Sequence, residues 1–317
     1  MTSFLAAAVA ALTVLTVAAG PSPIPDRERP DSYVVTHEPD VRPEGVAVTA
    51  DGTIYVTSVT TGAVYRGDTA RPALRPFLPA GGDGRTSAAG VRPDRNGRLF
   101  VAGWVTGTLF VHAPDGTLLA RRVAATDAAL NDVAVTDDAV YVTDSATGTV
   151  WRAPLDRTRI GDLTPWLTPA DFAAAPGFLN GIAVTPDGRY ALVADQGTGE
   201  PGSERLHRVD LRGRTATVVR VSGGQMGADG LLLEGDRLYG VVNFPDGHGG
   251  WSFAVNVAVL DADRRTARVV RQSRPAPLAQ SPTTLARDGG RLLWVNSQLN
   301  AETPTPPFTV SEVPGVR

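Results

Sequence analysis

The chain of 317 residues contains no cysteine and no lysine, and all 30 of its basic residues are arginine. Without cysteine, the protein cannot form a disulfide bond, a thiolate nucleophile or a thiolate metal site. The 33 acidic residues bring the formal charge to -3, whereas binding to a phosphate backbone requires a basic surface. We therefore expect no nucleic-acid partner.

The sequence also lacks a sustained apolar period of 3.6 residues, and residues 169–175 could form one short helical turn at most. It contains instead 34 glycines and 25 prolines. These residues are typical of tight turns between β-strands. The composition therefore favours an all-β protein.

The long apolar run of the chain lies at its N-terminus. Residues 4–19 are apolar and rich in alanine, and Val17 and Ala19 are small residues before a cleavage site. The run is shorter than the roughly 20 residues that span a bilayer, so we predict a signal peptide over residues 1–19, although no arginine precedes the run. An uncleaved N-terminal anchor is the alternative. Residues 20–31 are predicted to be an extended linker, and the protein to be secreted or extracytoplasmic without a stable membrane partner.

One pattern recurs six times after the linker: a polar or small residue, often glycine, then an apolar strand, a turn and a second apolar strand. In the fourth copy, Asn180-Gly181 leads to the Asp187-Gly188 turn and to a strand that ends at Asp195. An Asp-Gly pair between two β-rich runs is a strong hairpin signal. The six copies place the following residues at the start of their first strands: Glu44, Ala89, Asn131, Asn180, Asp229 and Thr283.

The copies recur about 42 to 54 residues apart, the spacing of four-stranded propeller blades. The sixth copy lacks one strand before the chain ends, while residues 33–37 form an unassigned strand before the first copy. A ring must close to hide its edge strands. We therefore predict a six-bladed β-propeller over residues 32–317, closed by an N-terminal strand that completes the last blade. A two-domain β-sandwich protein, the alternative, would not explain six copies in phase.

In a propeller, the six first residues should meet near one mouth of the central channel. Glu44 and Asp229 supply carboxylates there, and Asn131 and Asn180 supply carboxamides. Such an oxygen-only set suits a hard divalent cation such as Ca²⁺. The alternative is that these polar groups only bind neighbouring backbone amides.

The order Glu-Gly, Asn-Asp, Asn-Gly and Asp-Gly on successive inner strands resembles the gluconolactonase / senescence-marker-protein / luciferin-regenerating-enzyme-like family, which includes diisopropylfluorophosphatase. The resemblance covers about residues 33–317. It implies that Glu44, Asn180 and Asp229 bind a divalent metal, usually Ca²⁺, and that Asn131 contacts metal or substrate. Asp229 would act as general base or nucleophile. Sugar-lactone members carry an arginine where this chain has Ala129, which puts a sugar-acid pocket in doubt.

Other residues could complete the mouth. Four aromatic residues on or near its loops favour a hydrophobic lactone or ester at least as much as a sugar, with blade packing as the alternative: Trp104, Phe178, Phe244 and Trp251. His248 could relay a proton from its glycine-rich loop, or simply be a solvated loop residue. Asp144 and Asp195 could support the metal ligands from the ends of second strands, or cap turns.

These features predict an exported, monomeric, Ca²⁺-dependent hydrolase that opens a small-molecule lactone or ester. The metal would polarise the carbonyl, and Asp229 would activate a water molecule. No Gly-x-Ser-x-Gly motif competes for nucleophilic catalysis. The alternatives are a non-catalytic propeller with a structural ion that binds a small molecule or protein at its mouth, and a strictosidine-synthase-like propeller that uses Glu44.

Overall fold

The computed structural model describes residues 29–316 except 201, 246, 248–249 and 278–279. This part of the chain forms six sheets that are arranged around a central channel. The predicted six-bladed β-propeller is therefore confirmed. The predicted signal peptide and most of the predicted linker lie outside the described residues.

Within these residues, each blade contains four or five strands. Strand β1 (Ser32–Thr36) precedes blade one, which consists of β2 (Pro43–Val48), β3 (Thr53–Ser58), β4 (Val64–Asp68) and β5 (Arg75–Leu78). Blade two consists of β6 (Val91–Pro93), β7 (Leu99–Ala102), β8 (Thr108–His112) and β9 (Leu118–Val123). Blade three consists of β10 (Leu130–Val135), β11 (Ala139–Asp144), β12 (Thr149–Pro154) and β13 (Thr164–Leu167).

The second half of the ring consists of blades four to six. Blade four consists of β14 (Leu179–Val184), β15 (Tyr190–Asp195), β16 (Arg205–Asp210) and β17 (Thr215–Val218). Blade five consists of β18 (Arg220–Ser222), β19 (Leu231–Glu234), β20 (Arg237–Pro245), β21 (Trp251–Leu260) and β22 (Thr266–Gln272), and blade six of β23 (Pro282–Asp288), β24 (Arg291–Asn296) and β25 (Phe308–Glu312). The helices of the described residues are two short 3-10 turns, Gly82–Gly84 and Pro169–Asp171, and none in this part of the chain is long and apolar enough to cross a membrane.

The N-terminal strand closes the ring as predicted. Strand β1 pairs antiparallel with β25 and forms the outer edge of blade six, in the order β1-β25-β24-β23. A buried polar network fixes this closure: the Arg291 guanidinium donates to Asp288 at 2.6 Å and to the Tyr33 hydroxyl at 2.5 Å. The same hydroxyl donates to the Thr69 carbonyl oxygen of blade one at 2.9 Å. The network therefore ties the last blade to the first.

The apolar core is divided into six clusters, one between each pair of neighbouring blades. In β3, Ile54 and Val56 pack towards blade six, whereas Tyr55 between them packs towards blade two. Both faces of each sheet are thus covered, because side chains alternate across a strand. This explains why the second strand of each blade is apolar almost throughout.

Blade five departs from the other blades in two ways. Its hairpin between β20 and β21 extends pairing to Pro245 opposite Trp251, so that β20 is nine residues long and β21 ten. Its outer edge carries a fifth strand, β18, which pairs parallel with β22. The longer hairpin brings Asn243 and Phe253 to the mouth of the channel.

Candidate functional site

The six residues that begin the sequence repeats stand at β-bulges next to the channel. In blade five, the Asp229 N–H donates to the Val241 carbonyl at 2.7 Å, and the Val241 N–H donates to the Gly230 carbonyl at 3.1 Å. Two successive residues therefore face a single partner, which defines a bulge. Ala89 and Gly90 face Ala102 in the same way, and the register shifts at this point in the other four blades.

The backbone carbonyls at these six positions link the blades into a ring. Each oxygen accepts a hydrogen bond from the preceding blade, and the donor is a backbone N–H or a threonine hydroxyl. Five of these bonds are 2.7–2.8 Å long. The acceptor and donor residues are Glu44 with Thr283, Ala89 with Thr57, Asn131 with Gly90, Asn180 with Thr143, Asp229 with Gly181, and Thr283 with Gly230. The sequence repeat thus marks one physical position in all six blades.

The ring also explains why glycine so often follows the first residue. A Cβ atom on Gly181 would lie 2.7 Å from the Leu231 nitrogen and closer still to the Asp229 carbonyl oxygen. Only glycine allows blades four and five to approach this closely. Blade three has Asp132 at the corresponding position, and its buried carboxylate accepts hydrogen bonds from the Ile182 and Val133 N–H groups at 3.1 and 2.8 Å.

The structure brings the four predicted oxygen donors together. Glu44, Asn131 and Asn180 are buried and Asp229 is half-buried, and all four line one cavity of about 300 Å³ at the channel mouth. The other two ring positions, Ala89 and Thr283, line the same cavity, but the Thr283 hydroxyl is engaged with the Glu44 carbonyl. The polar groups that face the cavity therefore come mainly from blades one, three, four and five.

The two asparagine side chains are held through their amide nitrogens. Asn131 Nδ2 donates to the Ser145 hydroxyl at 3.0 Å, and Asn180 Nδ2 donates to Gln196 Oε1 at 3.0 Å. Ser145 in turn donates to the Leu179 carbonyl at 2.6 Å. These bonds fix the orientation of each carboxamide, and its Oδ1 atom is an acceptor that a cation can bind.

The pKa values of the carboxyl groups at this site are raised. Burial, and to a smaller extent the charge of Asp132, raises the pKa of Asp229 to about 7, although a hydrogen bond with Asn180 opposes the shift. Burial, followed by the charges of Asp229 and Asp132, raises the pKa of Glu44 well above its usual range. Burial also raises the pKa of Asp132, although Arg92 and two backbone N–H groups oppose this shift.

This donor set fits a hard cation. Carboxylate and amide oxygens are the ligands that Ca²⁺ takes in proteins, and a cation would relieve the unfavourable burial of two carboxylates. No group of three or more histidine, cysteine, aspartate or glutamate side chains clusters in a metal-binding arrangement within the described ranges. The set at the mouth combines two carboxylates with two carboxamides.

Asp144 and Asp195 act on backbone groups. Asp144 Oδ1 accepts from the Ala129 N–H at 2.9 Å, two residues before Asn131. Asp195 Oδ1 accepts from the Phe178 N–H at 2.9 Å, two residues before Asn180, and Oδ2 lies 3.3 Å from His207 Nε2. These side chains fix the segments that carry the two asparagines. The predicted His248 lies outside the described residues.

The aromatic predictions divide into two pairs. Trp104 and Phe178 line the cavity, whereas Phe244 packs between blades four and five and Trp251 is half exposed on the blade-five hairpin. Sequence reasoning missed Phe253, Leu299 and Gln196, which also line the cavity. Gln196 directly follows the Asp195 that ends the second strand, as Ser145 follows Asp144, so the repeat phase could have identified both.

Three solved structures have the same architecture. Regucalcin from Agrobacterium tumefaciens, described as a calcium-binding protein, is 18% identical, with 90% of this chain and 95% of that chain covered and a TM-score of 0.55. Virginiamycin B lyase from Staphylococcus aureus is 10% identical, with coverage of 90% and 98% and a TM-score of 0.59. A protein assigned as a gluconolactonase is 17% identical, with coverage of 90% and 94% and a TM-score of 0.56.

The chain shares the six-bladed propeller fold of these proteins. No protein-family model and no curated protein sequence matches it. At such low identities the likeness establishes the fold alone, and a fold supports many activities. The function must therefore be argued from the residues at the mouth.

Proposed function

We propose that the protein is a hydrolase that opens a lactone or another ester at the channel mouth with the help of a divalent cation, most simply Ca²⁺. The observation that carries this proposal is the convergence of two carboxylates and two carboxamides, from four blades, on one cavity. It is supported by the description of the regucalcin propeller as calcium-binding and by the gluconolactonase assignment of another propeller.

Glu44, Asn180 and Asp229 would hold the cation, and Asn131 would supply a further oxygen to the cation or to the substrate. When bound, the cation would supply Lewis-acid polarisation of the ester carbonyl. The chain itself fixes the orientation of the Asn131 and Asn180 carboxamides through their hydrogen bonds to Ser145 and Gln196.

Asp229 is the residue suited to move the proton. With one carboxylate oxygen on the cation, the other oxygen would remain available to accept a proton. This second oxygen would take a proton from water while the water oxygen bonds to the carbonyl carbon. The bond from that carbon to the alcohol oxygen then breaks, and Asp229 returns the proton to the departing alkoxide. The products are a carboxylic acid and an alcohol.

We further propose that the protein is exported and acts as a monomer. Export is supported by the apolar residues 4–19 with their small residues before the cleavage site. It is tested by N-terminal sequencing of the protein recovered from the medium or periplasm, which should begin near residue 20. Recovery of the protein with residues 1–19 intact in the membrane fraction would contradict it.

The first experiment is calorimetric titration of Ca²⁺ into the chelator-treated full chain. We expect the wild type to bind Ca²⁺ and Asp229→Asn to lose binding. Asp162→Asn is the matched control, because the Asp162 side chain is 96% exposed, and it should bind as the wild type does. Hydrolysis of a panel of lactones, followed by acid release, should depend on Ca²⁺ and on Asp229.

The outcomes separate the proposed hydrolase from its alternative. If the wild type does not bind Ca²⁺, the proposed mechanism is wrong. If it binds Ca²⁺ through Asp229 but hydrolyses no ester, the protein is a binding propeller with a structural ion.

A further inference from the structure

Apolar and aromatic side chains from four blades line the cavity. The rings of Trp104 in blade two and Phe178 in blade four have centroids 6.2 Å apart and planes inclined by 56°, a geometry typical of favourable aromatic pairs. Phe253 of blade five and Leu299 of blade six line the same cavity. Apolar and aromatic side chains thus lie beside the carboxyl groups.

Trp104 is held in a backbone conformation that bulky residues rarely adopt. Its φ angle is +48°, in the left-handed region. Two backbone hydrogen bonds with Leu130, of 3.0 and 3.1 Å, fix it there, and Leu130 directly precedes Asn131. Such strain persists only where the surroundings impose it, and it concentrates at functional sites. The indole is therefore positioned relative to the oxygen donors by the fold itself.

The described lining of the cavity contains no basic side chain. Among the described residues that line it, Glu44 and Asp229 alone carry ionisable side chains, so a carboxylate or phosphate on the ligand would meet no basic residue. The other polar side chains of the lining are neutral amides and one hydroxyl: Asn131, Asn180, Gln196, Asn243, Asn300 and Thr283. A ligand without a net charge therefore suits this lining.

We propose that Trp104 and Phe178 form a recognition site for the apolar group of a small, neutral lactone or ester whose carbonyl lies beside Glu44 and Asp229. The inference rests on the proposed hydrolase function and adds the substrate class. The cavity of about 300 Å³ lies at the lower end of the range for small-molecule sites, which is about 300–1,000 Å³. A ring with one alkyl or phenyl substituent is therefore the expected substrate, and glucono-lactone is not.

The test compares γ-decalactone, γ-butyrolactone and glucono-δ-lactone by kcat/KM in Ca²⁺-loaded full-length protein. We expect γ-decalactone to be the best substrate. Trp104→Ala and Phe178→Ala should each lower its kcat/KM by about 10- to 100-fold, as expected for loss of an aromatic contact, and lower that of γ-butyrolactone by a smaller factor. Trp251→Ala is the matched control, because Trp251 is half exposed and does not line the cavity.

A second measurement does not depend on turnover. Calorimetric titration with 5-hexylpyrrolidin-2-one, a lactam that resists hydrolysis, should show binding to the wild type and to Trp104→Phe but at least tenfold weaker binding to Trp104→Ala and Phe178→Ala. Phe178→Ala leaves the strained backbone at residue 104 untouched, so it tests the site even if Trp104→Ala folds poorly.

The two proposals fail in different ways. If the wild type hydrolyses glucono-δ-lactone with a higher kcat/KM than γ-decalactone, or if both alanine variants bind the lactam as the wild type does, the apolar recognition site is wrong while the hydrolase stands. If no lactone is hydrolysed but the lactam binds through Trp104 and Phe178, the recognition site stands and the hydrolase is wrong.

Discussion

Replacing Asp229 by asparagine should stabilise the metal-free protein at alkaline pH. Burial raises the pKa of Asp229 to about 7 from an ordinary value of 3.8. One pKa unit corresponds to 1.36 kcal/mol, so ionising this carboxyl in the folded protein costs about 4 kcal/mol. The folded state binds the proton more tightly than the unfolded state. The penalty is therefore absent below pH 4, grows as the pH rises, and is complete above pH 7.

The assay is urea unfolding of wild type and Asp229→Asn in the presence of a chelator, at pH 4 and pH 8. We expect equal stability at pH 4 and a more stable variant at pH 8, by up to about 4 kcal/mol. Ca²⁺ at 100 times its Kd should narrow the difference at pH 8, because a ligand at that concentration stabilises the folded wild type by about 2.7 kcal/mol and the variant lacks the site. A variant that is less stable than the wild type at pH 8 in chelator would refute the reasoning.

Asp195→Asn is a control for which the opposite change in stability is expected. Burial acts to raise the pKa of Asp195, but hydrogen bonds from His207, Gly197 and Phe178 outweigh it and lower the pKa below 3.8. The ionised group therefore stabilises the fold above its unfolded pKa, and this stability is lost as the pH falls through the folded pKa. Asp195→Asn should destabilise the protein at pH 8, with or without Ca²⁺.

Three further predictions test the ring and its support. Gly181→Ala should destabilise the protein by about 1–3 kcal/mol through overpacking between blades and weaken Ca²⁺ binding, measured by unfolding and calorimetry. Arg291→Leu should cost about 3 kcal/mol in urea unfolding because it leaves the buried Asp288 short of a partner, and Asp288→Asn in the same chain should recover part of this loss. Ser145→Ala should weaken Ca²⁺ binding about tenfold because it frees the Asn131 amide, and it should cost about 1–3 kcal/mol in urea unfolding because the Leu179 carbonyl loses its buried donor.

Ring closure could be predicted from the sequence because each blade needs four strands and the strands of the chain had to fill six complete blades. Six inner copies left one strand missing at the end of the chain and one unassigned at its start, and β1 fills the gap. The position of the ring residue within each copy could be predicted for a steric reason. Four of the six ring residues are followed by glycine, and the close approach of neighbouring blades demands it.

The walls of the cavity could not be predicted in the same way. Leu299 reaches the mouth on a loop whose carbonyl oxygens are bound by Arg42, 257 positions earlier in the chain. The longer hairpin of blade five depends on pairing that continues past the usual strand end. Such contacts leave no periodic signal, because each belongs to a single blade.

Because the hydrogen bonds between blades use backbone carbonyl oxygens, the fold does not depend on the side chains that face the mouth. Each ring residue contributes its backbone oxygen to the contact between blades, so the scaffold depends on the backbone and on the following residue rather than on the ring side chain. Ala89 shows that the position tolerates a side chain with no polar group. The six ring side chains can therefore vary without opening the ring, which explains how propellers of one shape come to include a calcium-binding protein and a lyase. In this chain, two carboxylates remain at these positions although their burial is unfavourable, and that cost is the strongest physical reason to expect a cation between them.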